Sequence, residues 1–189
     1  MKRGVVLAAV AALFLAASAP AEATIVKRWS MNVGVMGGIE KVDENTDWED
    51  TTIRGARLGL AVKPGFQVEA CYDTFDTKRK TAAPVGANAT TTYTGLRFVG
   101  TFFSQEDVKV LPYVVAGVGR VKSELMPDDR KDVTDTATYG ELGFGARVFL
   151  WKNLNVRGEV GFKQSRTLNI TQTNTQVGIT FSYLFFGAE

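Results

Sequence analysis

The chain has 189 residues, a formal net charge of +2, no histidine and a mean hydropathy of −0.02. That length suits one domain, and the near-neutral charge supplies no basic face for nucleic acid. Without His, neither a Ser-His-Asp mechanism nor a His-based zinc site is available. Cys71 is the only cysteine, so no intrachain disulfide can form, and it is expected to pack as a small buried residue.

The first segment reads as an export signal. Met1-Lys-Arg is positive, Gly4 to Ala19 is an apolar run, and Ala21-Glu22-Ala23 offers small residues at the peptidase positions. Residues 1–23 are therefore expected to be removed, leaving 24–189 as one domain. Beyond them no apolar run reaches the ~18 residues of a membrane helix. The other spanning structure is a closed barrel, in which every backbone group is paired.

From Trp29 onwards apolar and polar residues alternate with period two, the signature of strands whose faces see different surroundings. Strand one, about 29–39, sets Trp29, Met31, Val33, Val35 and Ile39 against Ser30, Asn32, Gly34, Met36 and Gly38; an acidic loop, 40–51, follows. Strand two, about 52–62, sets Ala56, Leu58, Leu60 and Val62 against Ile53, Gly55, Arg57 and Gly59. The Lys63-Pro-Gly65 turn leads into strand three, about 66–75, where Phe66, Val68, Ala70 and Tyr72 oppose Gln67, Glu69, Cys71 and Asp73. A long loop is expected over 76–91.

Strand four, about 92–103, opposes Leu96, Phe98 and Phe102 to Tyr93, Gly95, Arg97 and Thr101. Strand five, about 109–119, is apolar or Gly on both faces; Pro112, Val114, Ala116 and Val118 are assigned outwards. A charged loop is expected over 120–137. Strand six, about 138–150, opposes Leu142, Phe144, Ala146 and Val148 to Tyr139, Glu141, Gly143, Gly145 and Arg147. Strand seven, about 154–164, opposes Leu154, Val156, Val160 and Phe162 to Asn155, Arg157, Glu159 and Lys163. After a loop near 165–174, the last strand sets Val177, Ile179, Phe181, Tyr183 and Phe185 against Gln176, Gly178, Thr180 and Ser182.

Eight strands with alternating long and short connections predict an all-β, eight-stranded antiparallel up-and-down barrel. A soluble calyx would bury the apolar face; a membrane barrel turns it to lipid. Glycine recurs on the polar face, as a narrow lumen requires. Trp29, Phe66, Phe102, Trp151 and Phe185 gather near the short turns as an interfacial girdle. Both favour the membrane.

An Arg facing mid-membrane lipid costs about 2–4 kcal/mol, so the charges on the polar face are expected inside. They are Arg57, Glu69, Asp73, Arg97, Glu141, Arg147, Arg157, Glu159 and Lys163, five cations against four anions. A turn symmetric about Lys152 pairs Glu141 with Lys163 and Arg147 with Arg157, and sets Glu159 diagonal to Arg147; symmetry about Pro64 sets Glu69 diagonal to Arg57. The set reads as a plug of paired charges, with an open channel lining as the alternative.

Other motifs are weak. Asp43-x-Asn45-x-Asp47 has Trp48 where a calcium loop needs Gly. Lys78-Arg-Lys80 reads as a solvated loop, and Gly143-x-Gly145 has no following helix. No catalytic, metal or cofactor site is expected.

Gln176-x-Gly178-x-x-Phe181-x-Tyr183 and Pro112-Tyr-Val-Val-Ala-Gly-Val-Gly119 resemble motifs of the small eight-stranded outer-membrane β-barrel family of the opacity-protein and attachment-invasion type. The resemblance covers the whole mature chain. It implies that Gln176, Gly178, Phe181 and Tyr183 form the signal read by the barrel-assembly machinery. It also implies outer-membrane lipids and lipopolysaccharide as neighbours, and termini in the periplasm. Members serve as structural proteins, adhesins or surface antigens. The expected role is a monomeric, non-catalytic structural barrel. The alternatives are an adhesin or surface antigen that binds an extracellular ligand through loops 40–51, 76–91 and 120–137, and a narrow pore.

Overall fold

The computed structural model describes residues 28–43, 48–78, 87–102, 110–127, 133–167 and 170–185. The leader and Asn45, Asp47, Arg79 and Lys80 lie outside them. Eight antiparallel strands close into a barrel in chain order. They are β1 (Met31–Lys41), β2 (Thr51–Lys63), β3 (Phe66–Lys78), β4 (Ala87–Thr101), β5 (Val110–Pro127), β6 (Val133–Phe149), β7 (Leu154–Thr167) and β8 (Ile170–Phe185). β1 pairs with β8, Met31 opposite Phe185, which leaves the barrel without a seam. The β2–β3 turn is tight because Gly65 takes φ 78°, a left-handed conformation open to glycine at no steric cost.

The register defines the barrel's proportions. From Ala61 on β2, cross-strand partners run through Gln67, Val99, Val115, Gly143, Gly161, Gln176 and Glu40 and return to β2 at Thr51. The circuit ends ten residues from where it began, between Ala61 and Thr51. With a rise of ~3.3 Å per residue and strands ~4.8 Å apart, that shear tilts the strands by about 40°. At this tilt, outward apolar runs such as Met31 to Ile39 and Val177 to Phe185 cover roughly 20–25 Å along the axis, the height of a bilayer's hydrocarbon band.

The two faces are what the alternation describes. Val35 is 64% exposed, Leu142 66% and Phe181 53%, while Arg57, Arg97 and Arg157 are buried inside. An apolar belt of this extent is tolerated only against lipid. On β5, Val114, Ala116 and Val118 point outwards, with Tyr113, Val115 and Gly117 inside. Val148 and Val156 hold the outward parity but are buried.

The expected loops differ from the structure. Residues 76–78 and 87–91 belong to β3 and β4, and 120–127 and 133–137 to β5 and β6. Half of the long loop 76–91 and most of the charged loop 120–137 are therefore barrel wall, as is most of the expected 165–174 loop. The reason is physical: above the membrane the outer face of a strand turns polar while inward residues such as Ala89 and Val121 stay buried, so the outward apolar alternation stops while the hydrogen-bonded ladder goes on. Strict long–short alternation is lost with it, since β4 and β5 are separated by residues 102–109 whereas β7 and β8 are separated only by 168–169.

Candidate functional site

The interior is layered. At mid-height seven strands each turn a glycine inwards: Gly38, Gly55, Gly95, Gly117, Gly143, Gly161 and Gly178. β3 turns in Cys71, which lies opposite Gly95. This ring makes room for long charged side chains. A Cβ on Gly117 would stand 3.2 Å from both Arg97 Cγ and Glu141 Oε2, and one on Gly161 would stand 3.4 Å from Glu141 Oε1. Above the ring lies an apolar layer of Ile53, Phe75, Tyr93, Val121 and Tyr139, joined by Met36 from one inward position below Gly38, and below the ring lies a smaller one of Val99, Tyr113 and Val115. Cys71 is buried, its Sγ 3.5 Å from the Tyr139 hydroxyl.

Within this space the charges bridge the lumen. Arg97 is the hub: it pairs with Glu159, with Glu141 at 3.3 Å and with Glu69 at 3.7 Å. Arg157 pairs with Glu69, and Lys163 donates to Asp73 at 3.0 Å, so both pairs join β7 to β3 on opposite sides of the barrel. Arg57 donates to Asp73 through two nitrogens, Nη2 to Oδ2 at 3.0 Å. Arg147 donates to Gln67 Oε1 at 3.0 Å, and Gln67 Nε2 donates to Glu69 at 2.9 Å. The Tyr113 hydroxyl donates to Glu159 at 3.0 Å. Lys163 Nζ also sits 4.2 Å from the centroid of Tyr93, whose hydroxyl accepts a bond from Asn174.

The hairpin registers match the turn symmetries, with Glu141 opposite Lys163 and Arg147 opposite Arg157. The partners chosen differ. Lys163 bonds Asp73 rather than Glu141, Arg147 takes Gln67 rather than Glu159, and Arg57 takes Asp73 rather than Glu69. For Lys163 and Arg147 the far wall, in a lumen only a side chain or two wide, is nearer to the side chain's tip than the expected neighbour is. Arg57, opposite Cys71, takes the other of its two diagonal neighbours on β3. Sequence spacing sees one hairpin and misses the opposite wall. It also missed Glu40, fully buried and inward at the top of β1. Continuing the parity Asn32, Gly34, Met36, Gly38 by one step would have found it, and it brings the inward charges to five of each sign.

The remaining singled-out residues lie at the barrel ends or along β8. Trp29, Phe102, Trp151 and Phe185 are exposed beside the short turns, and Phe66 stacks on Phe98 with centroids 6.3 Å apart. Tyr183 packs edge-on against Phe185 and accepts a bond from Asn153. Gln176 and Gly178 face inwards, Phe181 and Tyr183 outwards. Asp43, taken from the calcium-like run, accepts the Thr173 amide through Oδ2 at 2.9 Å.

The comparisons agree with this architecture. Residues 7–185 match the model of the outer membrane protein beta-barrel domain. Among solved structures, Neisserial surface protein A is similar at a TM-score of 0.67 and 12% identity, covering 82% of this chain and 97% of that one. The outer membrane protein OprG of Pseudomonas aeruginosa is similar at 0.58 and 12%, covering 85% and 97%. Ail, the attachment invasion locus protein of Yersinia pestis, is similar at 0.56 and 10%, covering 82% and 99%. No curated protein matches the sequence. The eight-stranded closed barrel, its apolar exterior and the match over nearly the whole chain together make this protein a member of the outer membrane β-barrel domain family.

Proposed function

We propose that the protein is a structural, non-catalytic and monomeric barrel with a plugged polar interior. It holds its termini in the periplasm and its four opposite connections outside the cell. The observation that carries this reading is Arg97, which ties β4 to carboxylates on β3, β6 and β7 at mid-lumen. Apolar layers above and below it leave little room for hydrated ions. Orientation is supported by the asymmetry of the outer surface. Aromatics crowd the end with the termini, whereas outward positions at the other end are polar, with Thr92, Thr94, Arg120, Lys122 and Arg166 alongside Asp76 and Glu124. The first set suits a phospholipid interface, and the second suits the phosphates and sugars of lipopolysaccharide.

Planar-bilayer recording tests the plug. The purified barrel should insert without steady conductance, and Glu141→Ala or Arg147→Ala should stay nearly silent; regular single-channel steps in the unaltered protein would favour the narrow pore. A second reading, surface recognition, is supported by the height of the β4–β5–β6 wall. β5 runs eight residues past Gly119 to Pro127, about 20 Å above the apolar band at this tilt. Replacing only residues 128–132 by a Gly/Ser stretch and measuring attachment of cells tests it, and unchanged attachment would remove the idea.

A further inference from the structure

A closed barrel has no strand edge within the membrane, but walls of unequal height create edges above it. Three arise here. Above Thr175, β8 pairs only with β7; above Phe75, β3 pairs only with β4; above Tyr139, β6 pairs only with β5. Such edges present unpaired N–H and C=O groups, and proteins usually cover them.

Two are covered by the chain itself. Asp43 takes the Thr173 amide and gives its own N–H to Asn174 Oδ1 at 3.2 Å. On β3, the Glu49 amide donates to the Lys78 carbonyl at 2.9 Å, and Thr77 Oγ1 donates to the Glu49 carbonyl at 2.7 Å. The third is open. Residues 133–138 pair with β5 from Leu125 to Arg120, and among the described residues their other edge has no backbone partner. β7 stops beside it, turning its last residues, Arg166 and Thr167, towards β8.

We propose that this β6 edge is a docking site for an extended, acidic segment of a partner polypeptide, which adds to the wall as a further strand. The proposal goes beyond the structural reading and rests on it only for the outward orientation of this end. The six-residue edge matches a usual strand length, and main-chain bonds to it supply affinity without a preformed pocket. Three features select the occupant. Thr134, Thr136 and Thr138 are exposed along the outer side and favour β-branched neighbours on an added strand. Arg166 is exposed at the foot of the edge, with no ion-pair partner among the described residues. Arg120 and Lys122 lie one strand further in, where Glu124 offsets only part of the charge. On its outer side an added strand thus meets a net positive surface, while Asp135 of the edge lies on the inner side.

The test uses the full barrel in detergent micelles and a synthetic seven-residue peptide of alternating Thr, Val and Glu. Two further versions are N-methylated, each on one of the two alternating sets of amides. The expected result is saturable binding and about tenfold slower hydrogen exchange at alternate amides within 133–138. One N-methylated version should lose binding and the other keep it, because only one row of a strand's amides faces its neighbour. Arg166→Glu should weaken the acidic peptide about tenfold, with Arg166→Lys close to the parent. No binding at millimolar peptide, equal binding of both methylated versions, or protection confined to other strands would overturn the proposal. So would protection of 133–138 that rises with barrel concentration without peptide, since the edge would then pair with a second copy. External protease cleavage of intact cells at 128–132 reports orientation separately, so failure of the structural reading is distinguishable.

Discussion

The lower two-thirds of the barrel and the wall above it are built from the same strands under different solvents. In the lower part each strand separates lipid from a packed polar lumen, and the side chains divide accordingly: on β4, Leu96 and Phe98 face out while Arg97 is buried. In the upper part the same strand carries Thr92 and Thr94 outwards, and on β5 the outward residues are Arg120 and Lys122. The hydrogen-bonded ladder is continuous through both, with Thr90 opposite Glu124 as regularly as Leu96 opposite Val118. Solvent contrast decides side-chain pattern; main-chain pairing decides how far the strand continues.

The sharpest way to break this contrast is to disturb the lumen. Removing one member of a buried pair leaves the others uncompensated, at a cost of about 3–5 kcal/mol. Arg97→Met leaves Glu141 without an ion-pair partner among the described residues and takes one partner each from Glu69 and Glu159, which keep Arg157 and the Tyr113 hydroxyl. It is expected to show that loss in urea unfolding from micelles. Replacing Glu141 by Gln in the same background should recover part of it, since it removes the carboxylate left unpaired among the described residues. A variant as stable as the parent would mean that the hub carries no net stabilisation.

Next in size is a charge moved across the membrane boundary along one face of β4. Leu96→Arg puts a guanidinium against lipid and should cost about 2–4 kcal/mol. Thr92→Arg, four residues higher on the same face, should cost almost nothing. Equal penalties at the two sites would place the bilayer boundary elsewhere.

This boundary also explains what the sequence revealed. Val35, Phe181 and the inward arginines were readable because lipid on one side and a polar lumen on the other impose a period of two. Thr90, Lys122 and Thr136 were not, since the outer face they occupy is polar there and the strand persists through backbone bonds that leave no mark on residue type. Hairpin registers were readable from turn symmetry, as Glu141 opposite Lys163 shows. Cross-lumen partners such as Arg157 with Glu69 depend on the tilt and shear of the closed sheet, and only the complete circuit of registers supplies them.

Glycines sharpen the comparison at a smaller scale. A Cβ on inward Gly95 would stand 2.6 Å from the Val118 carbonyl oxygen and 2.7 Å from the Tyr139 hydroxyl. Gly95→Ala is therefore expected to cost about 1–3 kcal/mol, because the backbone of β5 would have to shift. Outward Gly140 has nothing within 4 Å of such a Cβ, so Gly140→Ala should be neutral or slightly stabilising. Thermal conversion of the folded to the unfolded electrophoretic band measures both.

The smallest effect belongs to the upper wall's own ion pair. Lys122 Nζ lies 2.5 Å from Glu124 Oε1, as close as many buried pairs, yet the side chains are 53% and 38% exposed. Water already solvates both charges, and holding two long side chains together costs rotamer freedom, so Lys122→Ala should change stability by less than ~0.5 kcal/mol. Arg57→Ala, which breaks a pair with Asp73 inside the lumen, should cost several times more. Raising salt should shrink the first difference further and leave the second nearly unchanged, because mobile ions screen the outer wall but do not enter the packed interior. A salt-insensitive loss at Lys122 would mean that the wall above the membrane is held by its side chains after all, and not by the ladder alone.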